Sequence, residues 1–167
     1  CSASNPRASQ EDLIDLMKIR FDSKGIGKMV VRRQNYTSML NSLVLCIFSQ
    51  AGYAQYYTPA DFPGISANDL VEWFKYATGR EIGLEEFLKT GERIFNLKHL
   101  INLNRGITSK DDTLSERLLK EKRGGSSPAG ENLPSLESML DEYYAARGWD
   151  KDGKIRKEKL EELVCCL

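Results

Sequence analysis

The sequence lacks most of the features from which function is usually read. Its 167 residues include one histidine, four cysteines and five prolines, and 24 lysines and arginines balance 24 acids. Zero net charge removes the usual electrostatic case for a nucleic-acid surface. The cysteines, Cys1, Cys46, Cys165 and Cys166, show no C-x-x-C spacing. That excludes a self-contained metal site and a disulfide scaffold. The single histidine, His99, has no second histidine, cysteine or carboxylate at a ligand spacing, and it reads as a surface or border-of-core residue. No stretch approaches the roughly 20 apolar residues needed to span a membrane. There is also no initiator Met and no signal-peptide pattern, so the Ala/Ser/Asn/Pro-rich lead behind Cys1 reads as a cut made inside a longer protein.

What is present is a globular composition, 41% hydrophobic and 29% charged. A chain of this length can bury a core without staples, and one helical domain over residues 1–167 is expected, with a flexible lead at 1–8. The charges are unevenly placed. From Gln34 to Ala60 there are 27 residues without a charge, while the other 140 carry all 48. Asn35, Ser38, Asn41, Ser42, Ser49 and Gln50 make this stretch too polar for a membrane, and its continuous apolar run is only Leu43 to Phe48. An uncharged but hydrogen-bonding segment suits burial against polar groups, either in the protein interior or on a large polar cofactor. It is the candidate functional segment.

The periodicity is helical throughout. Ser9, with Asp12 three residues on, precedes Leu13, Ile14, Leu16, Met17 and Phe21, a capped amphipathic pattern that stops before Gly25. A second helix is predicted to begin near Asn35 and to carry Met39, Leu40, Leu43, Val44, Ile47 and Phe48 before Gly52. Ser66 opens a third, ended by Gly79. A long fourth runs from Leu84 to about Asn104, with Gly91 as a weak point and Gly106 as its stop. A short helix near Leu114 to Leu119 and an exposed loop over 121–134 follow. Ser135 then caps a helix that stops at Gly148, and a last helix spans about Lys157 to Leu167. No strand is long enough to seed a sheet, so the fold class is all-α.

Asp150-Lys151-Asp152-Gly153 imitates the middle of a calcium loop, but the first ligand position would be Gly148 and the twelfth Lys159. A glycine has no ligand and a lysine is a cation where a bidentate Glu is required, so the segment reads as a turn. Adjacent Cys165 and Cys166 point about 100 degrees apart on a helix and form no site together. Cys46 stands inside the neutral segment, where residue statistics alone make it a buried apolar cysteine.

Its neighbours change that weighing. Asn41-Ser42-Leu43-Val44-Leu45-Cys46 resembles the D-x-x-G-L-C motif of the tungsten-containing aldehyde ferredoxin oxidoreductases. Two further stretches resemble the same family. One is Gly91-Glu92-Arg93-Ile94-Phe95-Asn96-Leu97 leading to Asn104-Arg105-Gly106 and Lys110-Asp111-Asp112-Thr113-Leu114. The other is Leu140-Asp141-Glu142-Tyr143-Tyr144 leading to Arg147-Gly148-Trp149-Asp150. Together they cover most of residues 35 to 163 and match the family's helical C-terminal domain.

The resemblance implies that Cys46 is the fourth thiolate of a 4Fe-4S cluster whose other ligands lie in an upstream domain. It implies that Asn41 and Ile47 lie against a pterin of a tungsten (or molybdenum) bis-molybdopterin cofactor. The enzyme would be cytoplasmic, oxidising an aldehyde to a carboxylic acid and passing electrons to ferredoxin. Carboxylate and aromatic acyl-CoA reducers of the same family keep the substrate open. One thiolate of four holds no cluster and no catalytic acid or base accompanies it, so this chain alone is expected to be inactive. The competing reading is a cofactor-free helical interaction module in which Cys46 merely packs.

Two positions depart from the motif. Asn41 replaces its Asp, keeping an acceptor but losing the charge and adding a donor. Val44 replaces its Gly, and a β-branched residue resists positive φ, so either another backbone path or regular helix is expected there. On a continuous helix Asn41 and Cys46 would lie about 140 degrees apart. If both touch one cofactor assembly, either the helix unwinds between them or the assembly wraps around the helix, and local unwinding is the favoured expectation.

Overall fold

The computed structural model describes residues 24–46, 67–122, 124 and 128–163. Among these residues the architecture is all-α. Six helices follow in order: α1 (Ile26–Ser42), α2 (Ala67–Thr78), α3 (Leu84–Asn104), α4 (Glu116–Lys120), α5 (Leu136–Arg147) and α6 (Lys157–Glu162). Short 3-10 segments lie at Ser109–Asp111 and Pro128–Glu131, and the only strand-like pairing among the described residues is a bridge between Trp149 and Ile155. No helix among them is long and apolar enough to cross a membrane.

The α3 bounds match the predicted Leu84 to Asn104, and α2 and α5 end at the expected left-handed glycines, Gly79 (φ 71°) and Gly148 (φ 71°). The helix predicted over Ser9–Phe21, the flexible lead, Ser66 and the end of the last helix fall outside the described residues. α1 differs from expectation at both ends. It starts at Ile26, nine residues before Asn35, and stops at Ser42. Lys28, Arg32 and Arg33 gave its first half no apolar stripe, yet that half is held from outside: the N–H groups of Gly25 and Gly27 donate to Glu142 Oε2 of α5 at 3.0 and 3.3 Å. A carboxylate there satisfies unpaired amides and suits the positive end of the helix dipole. Within the predicted exposed loop, Gly130 is buried, its carbonyl accepting from Gly124 N at 3.2 Å.

α1 is the central element, packing against both α3 and α5. Two apolar clusters flank its path. Met39, Leu40, Leu70 and Phe87 join the end of α1 to α2 and the start of α3, with Leu43 and Leu45 packed on them. Tyr144, Trp149 and Ile155, with Phe95, Leu100 and Leu160, join the end of α3 to α5 and α6. Asn96, fully buried, fixes the second cluster: its amide donates to Glu92 O at 2.9 Å and accepts the Trp149 indole N–H at 2.8 Å.

Gly91 is no weak point. It is buried where α3 crosses α1, and a Cβ there would collide with the Asn35 carbonyl oxygen and press on Met39. The missing side chain sets the helix-to-helix distance. Arg147, also fully buried, lies between the clusters. Its guanidinium donates to Asn35 Oδ1 and Gln34 Oε1, both at 2.6 Å, and sits 3.9 Å from the centre of the Phe95 ring. Burial pulls it below the ordinary guanidinium range. Tyr143 closes this network, its hydroxyl donating to Gln34 Oε1 at 2.8 Å.

Two outcomes follow from this packing. Gly91→Ala forces α1 and α3 apart and is expected to destabilise the chain by about 2–3 kcal/mol, the usual scale of overpacking, whereas Leu97→Ala at an exposed position of α3 costs less than about 1 kcal/mol; urea unfolding of both variants checks this. Burial, reinforced by donation to Asp112, holds the Tyr144 hydroxyl well above the usual phenol range, and burial raises Tyr143 too. The folded chain therefore keeps protons that the unfolded chain releases near pH ~10. This stabilisation is complete below about pH 10 and is lost as pH rises further. Tyr144→Phe should flatten that alkaline decline in unfolding free energy.

Candidate functional site

The end of α1 carries the residues that the sequence singles out. α1 stops in a Schellman turn: Val44 N–H donates to Asn41 O at 3.2 Å and Leu45 N–H to Leu40 O at 3.0 Å. This is the pairing that satisfies the last carbonyls of a helix, and it places a left-handed residue just past the end. That residue is Val44, at φ 58°, the only non-glycine with positive φ among the described residues. Neither expected alternative holds. The chain neither takes another path nor continues as helix; Val44 adopts the conformation that suits the motif's glycine. Leu45 packing on the Leu40 cluster holds it there.

The corner separates Asn41 from Cys46 by unwound backbone, the favoured of the two expectations, so no continuous helix runs from one to the other. Leu43 and Leu45 turn inward onto the core while Val44 and Cys46 are exposed. Asn41 is exposed too, and its side-chain amide has no partner among the described residues. The expectation from residue statistics that Cys46 is buried is therefore corrected: the helix ends before reaching it, and the inward positions are taken by the flanking leucines. Ile47 lies outside the described residues.

The neutral segment divides at this corner. Gln34, Asn35 and Ser38 face the interior, where Gln34 and Asn35 serve the Arg147 cation, so neutrality there is explained by burial. Asn41, Ser42, Val44 and Cys46 face outward, where burial within this chain explains nothing. An exposed amide before the corner and an exposed thiol after it can present a hydrogen-bonding group and a sulfur ligand to something outside the described residues. Among those residues no three His, Cys, Asp or Glu side chains gather to hold a metal. Any metal at Cys46 thus draws further ligands from elsewhere.

The remaining candidates are structural. The His99 ring stacks on Trp149 with centroids 3.6 Å apart, and its Nε2–H donates to Gly153 O at 2.6 Å. It is a border-of-core residue, on the wall of an open pocket of about 540 Å³ that contains none of the residues of the 41–46 corner. Asp150 makes the expected turn, its Oδ1 accepting from Asp152 N at 2.9 Å and Lys154 N at 2.8 Å. Cys165 and Cys166 lie outside the described residues. What sequence reasoning missed is the support: Glu142, Arg147 and Gly91 all act on α1 from other helices, and only their presence in the quoted family stretches marked them.

Residues 3–164 match the family model for aldehyde ferredoxin oxidoreductase, domains 2 and 3. Similar curated proteins are tungsten-containing aldehyde ferredoxin oxidoreductases: those of Pyrococcus furiosus (38% identical over 137 residues), Pyrococcus abyssi (37% over 140) and Thermococcus kodakarensis (35% over 140). Each alignment covers 81% of this chain and 20% of the relative. The chain thus spans about one-fifth of the length of the proteins it matches.

The strained corner yields a direct test. A β-branched residue in the left-handed region costs about 1–2 kcal/mol, so Val44→Gly is expected to stabilise this chain by about 1 kcal/mol in urea unfolding without changing its helix content by circular dichroism.

Proposed function

The chain belongs to the aldehyde ferredoxin oxidoreductase family, and from that premise we propose that it is the helical portion of a larger tungsten- or molybdenum-dependent enzyme that oxidises aldehydes to carboxylic acids. Ferredoxin takes the electrons. The observation that carries the reading is the exposed Cys46, held with Asn41 at a left-handed corner in the family's motif position.

In this reading Cys46 is one of four thiolate ligands of a 4Fe-4S cluster, with the other three contributed from outside this chain. Asn41 and Ile47 lie against a pterin of the metal cofactor. That cofactor, when bound, supplies the two-electron oxidation of the aldehyde carbon, and the cluster passes the electrons outward. The chain's own part is to hold two groups in place. Cys46 would bind iron as its thiolate. The Schellman turn engages the Leu40 and Asn41 carbonyls, which would otherwise point their partial negative charges outward.

Asn41 offers an amide oxygen to a pterin N–H and an amide N–H to an acceptor, without charge. Its contribution is orientation. Protons, substrate contacts and the remaining ligands come from the rest of the enzyme, so the isolated chain is inert in this reading.

The test is the iron, acid-labile sulfide, tungsten and molybdenum content of the intact parent protein, purified without oxygen, for wild type and Cys46→Ser. The expected result is a wild type containing cluster iron and tungsten or molybdenum, and a variant that loses cluster iron and sulfide. A wild type devoid of both metals, or a variant that keeps its full iron complement, would overturn the reading.

A further inference from the structure

The open pocket of about 540 Å³ beside His99 has no part in the cofactor reading. Three helices wall it: Ile26 and Val30 of α1, Phe95 of α3, and Leu136, Met139 and Leu140 of α5. All six are only half-buried. The result is a largely apolar groove, and covering such surface is favourable where an occupant of matching shape and polarity is at hand. One carboxylate and one ammonium interrupt the walls, those of Asp112 and Lys98. The Asp112 carboxylate accepts the Tyr144 hydroxyl at 2.5 Å and meets no cation among the described residues.

The chain itself brings an apolar face to this place. Residues 1–23 lie outside the described residues, but their sequence carries the capped helical pattern over Ser9–Phe21, in which Leu13, Leu16, Met17 and Phe21 share one face at i, i+3, i+4 and i+8. An amphipathic helix needs a surface on which to bury that stripe. α1 begins four residues after Asp22, and the chain turns immediately before it, with Gly25 in the left-handed region at φ 84°. Two helices joined by so short a turn pack antiparallel as a hairpin. Ile26 and Val30, at i and i+4 in the first turns of α1, stand on the groove wall beside that turn.

The charges agree with this placement. Arg20 falls within the apolar face of the segment, four residues after Leu16 and three after Met17. Burying that face desolvates the cation unless a carboxylate waits in the partner surface, and Asp112 is such a carboxylate. Asp12, at the edge of the same face, is opposite in sign to Lys98.

We propose that the groove between α1, α3 and α5 is the docking site of this chain's own segment Ser9–Asp22, laid antiparallel to α1 with Leu13, Leu16, Met17 and Phe21 on its walls and Arg20 paired with Asp112. Docked there, the segment covers Gln34 and Tyr143, the groove-side members of the network around Arg147. It also adds a hold on the start of α1 beside that of Glu142. Docking of this kind is independent of whether Cys46 binds iron.

The experiment is peptide-resolved hydrogen exchange on the intact parent protein, as wild type, Met139→Asp, Arg20→Glu, Asp112→Arg and the double charge swap Arg20→Glu with Asp112→Arg. In the wild type, amides of residues 9–22 are expected to exchange at least about tenfold more slowly than in a free peptide of that sequence. Met139→Asp and each single charge reversal speed that exchange several-fold while peptides of α3 keep wild-type rates, and the charge swap restores most of the protection. Should Met139→Asp loosen α3 as well, the charge swap decides alone. Exchange over 9–22 as fast as in the free peptide overturns the inference. So does protection that ignores Met139→Asp and both charge reversals, which would place the segment elsewhere and leave the groove to another part of the enzyme. A swap that restores nothing also overturns it, because Arg20 and Asp112 would then not meet.

Discussion

The position of α1 depends on a buried cation. Arg147 has no exposed surface, and its hydrogen-bond partners are neutral: Asn35 and Gln34 of α1 and the Tyr143 hydroxyl, with the Phe95 ring against its face. A guanidinium in the interior is tolerated only when its donors are satisfied, and removing one partner leaves a desolvated charge or an unpaired amide. The network joins α5 to α1 through side chains that have no equivalent arrangement if α1 rotates or slides. It therefore sets the rotation and height of α1 as apolar packing alone would not, because apolar contacts are non-directional.

Two other contacts work on the same helix. Glu142, five residues before Arg147 on α5, receives the N–H groups at the start of α1, and Gly91 of α3 admits the α1 backbone to close range at Asn35. The first half of α1 is thus gripped from both neighbours. The second half carries Met39 and Leu40 into the apolar cluster shared with α2 and α3. What emerges at the end is a corner whose direction is set by everything before it, and on that corner stand Asn41, Val44 and Cys46. If Cys46 is a ligand to a site shared with other parts of the enzyme, as proposed, this fixed support limits the placement error it brings to that site.

The corner itself combines local and distant causes. Its hydrogen bonds are the ordinary terminus of a helix, but the residue in the left-handed position is one that local preference would reject. Leucines on either side prevail, since burying two of them is worth more than the strain at Val44 costs. The same competition explains the exposure of Cys46. Thiols are often interior, but at this corner the interior positions were already filled.

The helical class, the long α3, the glycine stops of α2 and α5 and the Asp150 turn were legible in the sequence, because each depends on residues close together in the chain: a 3.6-residue period, a left-handed glycine, an Asp bonding to amides two and four residues on. The start of α1, the role of Gly91, the burial of Arg147 and the conformation of Val44 were not. Arg147 looks like any cation in the last turn of a helix, and Gly91 like a defect in one; their meaning comes from Asn35, more than fifty residues away from either. A one-dimensional pattern reports which face of a helix is apolar. Which neighbour lies against that face, how near its backbone comes and which side of a turn faces outward are settled only when distant segments compete for the same space.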